Sequence, residues 1–361
     1  VKQEVSAITN LRQTGLYQQY TGRKKFVILL LALLTVALSV IAVNAGSMDV
    51  SPYQIFMTLL GRGSGISDVV IWNIRLPRVL AGIIAGSGLS VAGCVMQNNL
   101  RNPLASPSTL GISNAAAFGA NIAIIVFGAG SIQSSNTDAV IINNPYAVTA
   151  SAFMWAMVGT LVIILLARLR GFSPEAMVLA GVAIGSLFSA GTILIQYFAQ
   201  DVQVAAMVFW TFGDLGRASW KEVGIMAFLV IVSIVYFMFK RWDYNALDTG
   251  EETAKGLGVN VDRVRLEGMF VASLITAVTV SFLGIIGFIG LVGPQIIRRI
   301  IGADHRFLIP GSALMGALLL LCSDTLARTI IAPVVLPVGA ITSFLGAPLF
   351  LYLLARGYRK R

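Results

Sequence analysis

The stretch Phe26–Val43, FVILLLALLTVALSVIAV, runs 18 residues without a charge and follows Arg23, Lys24 and Lys25. At the helical rise it covers about 27 Å, close to the thickness of a bilayer's hydrocarbon core. Val43-Asn44-Ala45 could pass for a signal-peptide cleavage site. The run is longer than the apolar part of an ordinary signal peptide, so it reads as an uncleaved first span.

The rest of the chain repeats this pattern. Of 361 residues, 57% are hydrophobic and 12% are charged. That charged share is about half the globular norm, too little to dress a soluble surface. Ten apolar segments follow one another at roughly 26–44, 76–98, 109–128, 147–167, 177–198, 222–239, 266–284, 286–301, 308–326 and 339–355. The seventh and eighth nearly merge across Gly284, Gly287 and Gly290. The fold class is therefore an all-α polytopic membrane protein of about ten transmembrane helices. Residues 1–25 form a cytoplasmic tail, and 26–361 form one transmembrane domain.

The net charge of +10 reflects topology rather than nucleic-acid binding. With a cytoplasmic N-terminus, 20 Lys and Arg fall inside. Only Arg62, Arg75, Arg78, Arg217, Lys221 and Arg328 fall outside. The bias places both termini in the cytoplasm. The longest outer stretches are 45–75, 129–146 and 199–221; the last carries Trp210 and Trp220, suited to an interface belt. Cys94 and Cys322 lie in apolar runs and read as packing residues, and His305 reads as a solvated loop histidine.

Active transport needs an energy source. None of the 16 acidic residues falls mid-span; Asp324 comes closest. That disfavours a proton-coupled carrier, although an ion-coupled secondary transporter with a sodium site of carbonyls and hydroxyls stays open. No phosphate-binding G-x-x-x-x-G-K-[ST] loop occurs, so ATP would have to act on another chain. No catalytic constellation appears either, and the chain does not read as an enzyme.

Two features look functional. Arg75 and Arg78 flank Leu76-Pro77 at the outer mouth of the second span, with Arg328 beyond the ninth. They either snorkel to lipid phosphates or dock an acidic partner, and Arg328 could also bridge internally to Asp324 four residues earlier. The other is the inner connection at about 240–267, centred on Gly250-Glu251-Glu252-Thr253-Ala254-Lys255-Gly256-Leu257-Gly258. Residues 251–255 can form about one helical turn, stopped by Gly256 or Gly258 in a left-handed cap. It is either an ordinary solvated loop or a stiff element that receives a push.

In these residues the chain resembles the FecCD family of ABC importer permeases, which includes the vitamin B12, haem and ferric-siderophore permeases. The matching blocks include Ile74-Arg75-Leu76-Pro77-Arg78, Gly93-Cys94-Val95-Met96-Gln97, Asn102-Pro103-Leu104-Ala105, the 250–259 loop, Gly287-Phe288-Ile289-Gly290-Leu291-Val292-Gly293-Pro294 and Leu336-Pro337-Val338-Gly339. The resemblance implies a vitamin B12 permease-like homodimer in the plasma membrane with a pathway between subunits. It implies two ATP-binding subunits inside, which carry ATP and magnesium, and a substrate-binding protein outside. This chain then binds no cofactor or metal of its own.

By resemblance, Arg75, Arg78 and Arg328 meet the binding protein, and Gly250 to Gly258 form the coupling helix. Asn102 and Leu104 mark one inner gate, and Ser173 and Pro174 a second. Gln97, Asn98, Asn114 and Gln196 are candidate pathway linings. The cargo expected first is a ferric siderophore, with corrinoid, haem or molybdate behind it.

Overall fold

A computed structural model of the chain describes residues 2–46, 51–61, 65–126, 130–132, 140–142, 144–169, 171 and 173–357. Arg62, Arg170, Arg359, Lys360 and Arg361 of the charge count lie outside these residues, as do Ser134, Ser135, Asn136 and Asn143 of the second outer stretch and Gly128 just before it.

The ten apolar segments each fall on one helix: α1 (Lys2–Asn44), α4 (Leu76–Asn99), α5 (Ile112–Val126), α6 (Pro145–Leu169), α7 (Pro174–Tyr197), α9 (Trp220–Phe239), α12 (Val261–Leu283), α13 (Ile289–Ile301), α14 (His305–Thr329) and α15 (Val338–Gly357). Between them lie the short helices α2 (Pro52–Leu59), α3 (Ile66–Val70), α8 (Asp201–Thr211), α10 (Arg241–Asp248) and α11 (Glu251–Gly256). A two-stranded hairpin, β1 (Gly130–Ile132) and β2 (Val140–Ile142), pairs Gly130 with Ile142 in the second outer stretch. Nothing in the apolar pattern announced it.

Among the described residues, seven helical stretches are long and apolar enough to cross a membrane. The short ones carry the functional detail. α12 stops at Gly284, whose φ of 78° suits glycine, and α13 starts after Phe288. The seventh and eighth segments are thus separate helices. The freed backbone is satisfied by neighbours: Asp214 N–H donates to Leu283 O at 2.8 Å, and Val338 N–H to Gly213 O at 3.2 Å. Irregular backbone survives at membrane depth only when covered in this way.

α4 is the central post, packed on by α14, α12, α13, α9 and α1. It runs antiparallel to α14. A Cβ on Gly86 would run into the carbonyl of Gly316, and one on Gly316 into that of Gly86, so the two backbones touch there. Small residues permit such contact, the means by which helices associate without a hydrophobic drive. α4 continues a helix that begins at Ile66, through a π-turn at Ile71–Arg75. Pro77 lacks an N–H and crowds the preceding turn, and the widened turn accommodates it.

The outward faces are apolar. Leu33, Leu161, Leu187 and Phe228 are all exposed, which only a lipid solvent rewards. The chain is an integral membrane protein. Arg75 meets the end of α1 at Val43, while Lys24, midway along α1, lies against Phe307. Gly339 of α15 approaches Ile285, and Arg299 donates to Leu353 O. The middle of α1, at Lys24, and the end of α15 therefore lie at the end of the bundle that holds the α4 C-terminus, called the inner end below.

Candidate functional site

At the outer end, Arg75, Arg78 and Arg328 come together. All three are buried, although they were read from sequence as facing a partner. Arg75 Nη1 donates to Val43 O at 2.8 Å and Asn44 O at 3.1 Å. Arg328 Nη2 donates to Ala42 O at 3.0 Å, and its Nη1 to Ala45 O at 2.5 Å. These carbonyls end α1, where the helix dipole is negative and lacks further N–H donors. Asp324 is wholly buried between the other guanidinium groups. Arg78 Nε donates to its Oδ1 at 2.9 Å, and Arg328 Nε to its Oδ2 at 3.0 Å. The internal bridge open from the i, i+4 spacing is formed, and the three arginines act first as an internal clamp on α1, α4 and α14.

At the inner end, the 240–267 connection is mostly helical. α10 follows α9 after a kink at Lys240, and α12 already begins at Val261. α11 covers Glu251–Gly256 and opens on Gly250, at φ 123°. Gly258, at φ 83°, supplies the left-handed cap, so the turn runs one residue past Lys255 and Gly256 stays helical. The element has one anchored face and one free face. Ala254 is wholly buried. Glu251 accepts from Arg265 Nη2 at 2.9 Å and pairs with Lys255 at 3.1 Å. The Lys255 bond, and the Arg265 bond and charge, outweigh burial and hold the Glu251 carboxyl below its usual range. The Glu252 side chain is 93% exposed, and its nearest cation is Lys255 at 3.9 Å. Thr253 and Lys255 complete the turn, and Leu257 is exposed.

Between α4 and α5 the chain does not leave the bundle. Residues 100–111 are irregular, yet Ala105, Ser106 and Leu110 are buried. The fifteen-residue α5 starts only at Ile112, after this re-entrant segment has folded back into the bundle, with Pro107 against Gly290 and Gly111 against Gly185. Its polar groups satisfy each other: Ser106 N–H donates to Thr109 Oγ1 at 2.9 Å, and Thr109 Oγ1 to Ser106 O at 2.8 Å. Asn102 Oδ1 accepts from Leu104 N–H at 2.9 Å, and Leu104 is exposed.

This segment borders two cavities. The inner one, about 480 Å³, is lined by Gln97, Asn98, Arg101, Asn102, Asp248 and Gly250 among others. The second, also about 480 Å³, takes Ser108, Thr109 and Gly111 from the same segment, with Asn114, Ser186 and Ser189. Asn102 and Leu104 thus sit in the stretch joining a cavity beside α10–α11 to a hydroxyl-lined cleft between α5 and α7.

The remaining candidates are scattered. Asn114 Nδ2 donates to Gly185 O at 3.2 Å, tying α5 to α7. Gln196 is half-buried near the end of α7, on the helical face of Ser189 and Ile193, and outside both cavities. Ser173 is the N-cap of α7, accepting from Ala176 N–H at 3.2 Å, and Pro174 is its first residue. Both have full local reasons to be there.

Three readings change. His305 is not solvated but wholly buried, because α10 folds back over the start of α14. Its Nδ1 lies 3.1 Å from Asn245 Oδ1 and 3.5 Å from Asp248. Trp210 is packed inside, whereas Trp220 stays at the surface and donates to Trp72 O at 2.7 Å. Cys94 packs as read, but Cys322 is exposed on α14.

Sequence reasoning also missed Asp248, Arg265, Gln295 and Arg298. Asp248 accepts from Asn98 Nδ2 at 2.7 Å. Burial pushes its carboxyl up, against the pull of Arg298 and the Asn98 bond. The one signal available was the strongly amphipathic stretch Arg241–Asp248, hidden by treating the connection as loop. No group of acidic, histidine or cysteine side chains among the described residues could hold a metal.

Known proteins match this arrangement over nearly its full length. The model of the FecCD transport family matches residues 32–356. A protein of Methanocaldococcus jannaschii named as an ABC transporter permease is 61% identical over 345 residues, 95% of this chain and 98% of that protein. The Fe(3+)-citrate import permease YfmE of Bacillus subtilis is 36% identical over 342 residues, covering 94% and 97%. A solved inward-facing structure, described as an ABC transporter of metal-chelate type, superposes with a TM-score of 0.78 at 28% identity, covering 92% and 99%. The chain belongs to the FecCD transport family.

Proposed function

We propose that the chain is the membrane-spanning permease of an ATP-driven importer, moving an iron chelate across the plasma membrane. The observation that carries this reading is the re-entrant segment 100–111. It separates a hydroxyl-lined cleft from an inner cavity, and that cavity is walled by the end of α10 and by Gly250, which leads directly into the α11 turn that offers an exposed face to a partner. In this reading α11 is the coupling helix, received by an ATP-binding subunit. Asn102 and Leu104 form the inner gate, with Ser173 and Pro174 as a second. Asn114 and Gln196 face the pathway, with Gln97 and Asn98 at its inner end.

A second copy of the chain completes the pathway. The exposed Leu179, Val182, Ile193 and Leu194 of α7, beside the cleft, support pairing there. The binding protein docks at the outer end, over the mouth organised by Arg75, Arg78 and Arg328. ATP and magnesium belong to the partner subunits. The iron-citrate relative and the metal-chelate-type structure support an iron chelate as cargo, a ferric siderophore first, with corrinoid, haem or molybdate behind it.

The test is co-purification from a strain that expresses the chain with a Walker-motif ATPase and a binding protein, followed by chelate-binding assays on that protein. A stoichiometric complex with two ATPase subunits and tight binding of a ferric chelate are expected. A permease that purifies alone and transports alone overturns the reading.

A further inference from the structure

The last turn of α4 carries three amides in succession, Gln97, Asn98 and Asn99, all buried. Successive residues of a helix point about 100° apart. Here each amide reaches a different neighbour. Gln97 Nε2 donates to Leu291 O of α13 at 3.2 Å, and its Oε1 accepts from Gln295 Nε2 at 2.9 Å. Gln295 Nε2 also donates to Pro103 O in the re-entrant segment at 3.2 Å. Asn98 Nδ2 donates to Asp248 Oδ1 of α10 at 2.7 Å. Asn99 Nδ2 donates to Arg265 O of α12 at 3.4 Å, and the Arg265 side chain holds Glu251 of α11 at 2.9 Å.

Beyond this turn the backbone stays fixed. Arg101 adopts φ 45°, a left-handed position that glycine usually fills, and Asn102 N–H donates to Gln97 O at 3.1 Å. The re-entrant segment therefore leaves α4 at an angle set by this turn.

We propose that Gln97, Asn98 and Asn99 are a positioning hub, anchored by Asp248, that passes displacement of α10–α11 to the segment carrying Asn102 and Leu104. The inference rests on the coupling and gating roles proposed above. Its bonds span 2.7 Å at Asp248 to 3.4 Å at Arg265 O, and together with the last turn of α4 they link Glu251 and Asp248 on one side to Pro103, at the exposed edge, on the other. The hub is also not fully bonded: Asn98 Oδ1 and Asn99 Oδ1 are buried without a partner among the described residues. A buried unpaired acceptor costs free energy, so a rotated arrangement that satisfies it can compete. That is the property a two-position element needs. Gln97 and Asn98 then act as positioning residues in addition to bordering the cavity.

The test uses the full complex of permease, ATPase and binding protein in liposomes. Leu104→Cys, with Cys322→Ser to remove the exposed thiol, is labelled with a membrane-impermeant maleimide, with and without ATP, magnesium and vanadate. The parent should show an ATP-dependent change in labelling rate. Asn98→Ala and Asp248→Ala should each cut that change about tenfold, the weight of one charge-assisted hydrogen bond, with the ATPase still bound and hydrolysing. The double variant should be no worse than either single. The swap Asn98→Asp with Asp248→Asn should restore the response, because the pair then bonds in the opposite sense. It also decides the case if the alanine variants fail to assemble.

A full ATP-dependent change in both alanine variants, or a swap that assembles without restoring it, overturns the hub. Glu252→Lys separates the two readings. It lies on the free face of α11, outside the chain of bonds, and should release the ATPase. A bound, coupled ATPase in that variant overturns the coupling role itself.

Discussion

Arg78 Nε and Asp324 Oδ1 meet at 2.9 Å between α4 and α14, although 246 residues separate them in the chain. Arg328 closes on the other carboxylate oxygen at 3.0 Å. One buried carboxylate therefore serves two buried cations, and its removal leaves Arg78 only the half-exposed Asp214 at 3.2 Å and Arg328 only the carbonyls of α1. Asp324→Ala should cost about 3–5 kcal/mol, the range for breaking a buried pair by deleting one partner. Thermal unfolding in detergent checks this; a melting temperature equal to that of the parent would refute the clamp.

Charge reversal at the outer mouth should act through the same clamp. Arg328→Glu sets a carboxylate against Asp324 and against the terminal carbonyls of α1. Lower thermal stability and weaker binding-protein docking are expected together. The docking part should be clearest at low salt, where charge at a protein surface is least screened. Pull-downs across a salt series, normalised to folded protein, measure it. Docking unchanged per folded molecule would assign Arg328 to the clamp alone.

The two glutamates of α11 should separate. Glu252 is exposed, so Glu252→Lys should leave stability within about 0.5 kcal/mol while abolishing stimulated ATP hydrolysis. Glu251 holds Arg265, so Glu251→Lys should loosen the coupling element as well. Melting temperature and hydrolysis, measured on the same preparations, distinguish these effects.

Asp304 caps α14, accepting from Arg306 N–H at 3.0 Å. Burial alone would push its carboxyl up, but hydrogen bonds from Arg306 and Asn245 and the guanidinium charge win and hold it at about 2. The folded value lies below the unfolded value of about 3.9. Its stabilisation is therefore complete above about pH 4 and disappears as pH falls towards about 2. Asp304→Ala should lose about 1 kcal/mol at neutral pH and show a flatter decline between pH 4 and 2. Equal pH profiles for variant and parent would contradict the cap.

Most of the fold was legible because lipid demands long apolar helices, and Phe26–Val43 states that demand without ambiguity. The break between α12 and α13 was visible in Gly284 and Gly287, and the coupling turn in Gly250 and Gly258. What stayed hidden depends on contacts between distant segments. Burial of Arg75 and Arg328 requires knowing that α1 ends beside them, and burial of Arg78 that α14 lies along α4. His305 looks like a loop residue until α10 covers it. The amides of α4 suggested a pathway, but an all-apolar pattern cannot fix helix faces, and the structure spends Gln97 and Asn98 on α13 and α10. Ser173 and Pro174 carry signals that a helix start explains equally well.

The most direct test of the central claim is the energy source for uptake. Right-side-out vesicles or liposomes carrying the permease with its ATPase, with the binding protein and a radiolabelled ferric chelate outside, would be assayed with ATP trapped inside, without ATP, and with an ionophore. Uptake that requires ATP and ignores the ionophore is the predicted result. Uptake that persists without ATP and collapses with the ionophore would contradict it and identify an ion-coupled carrier.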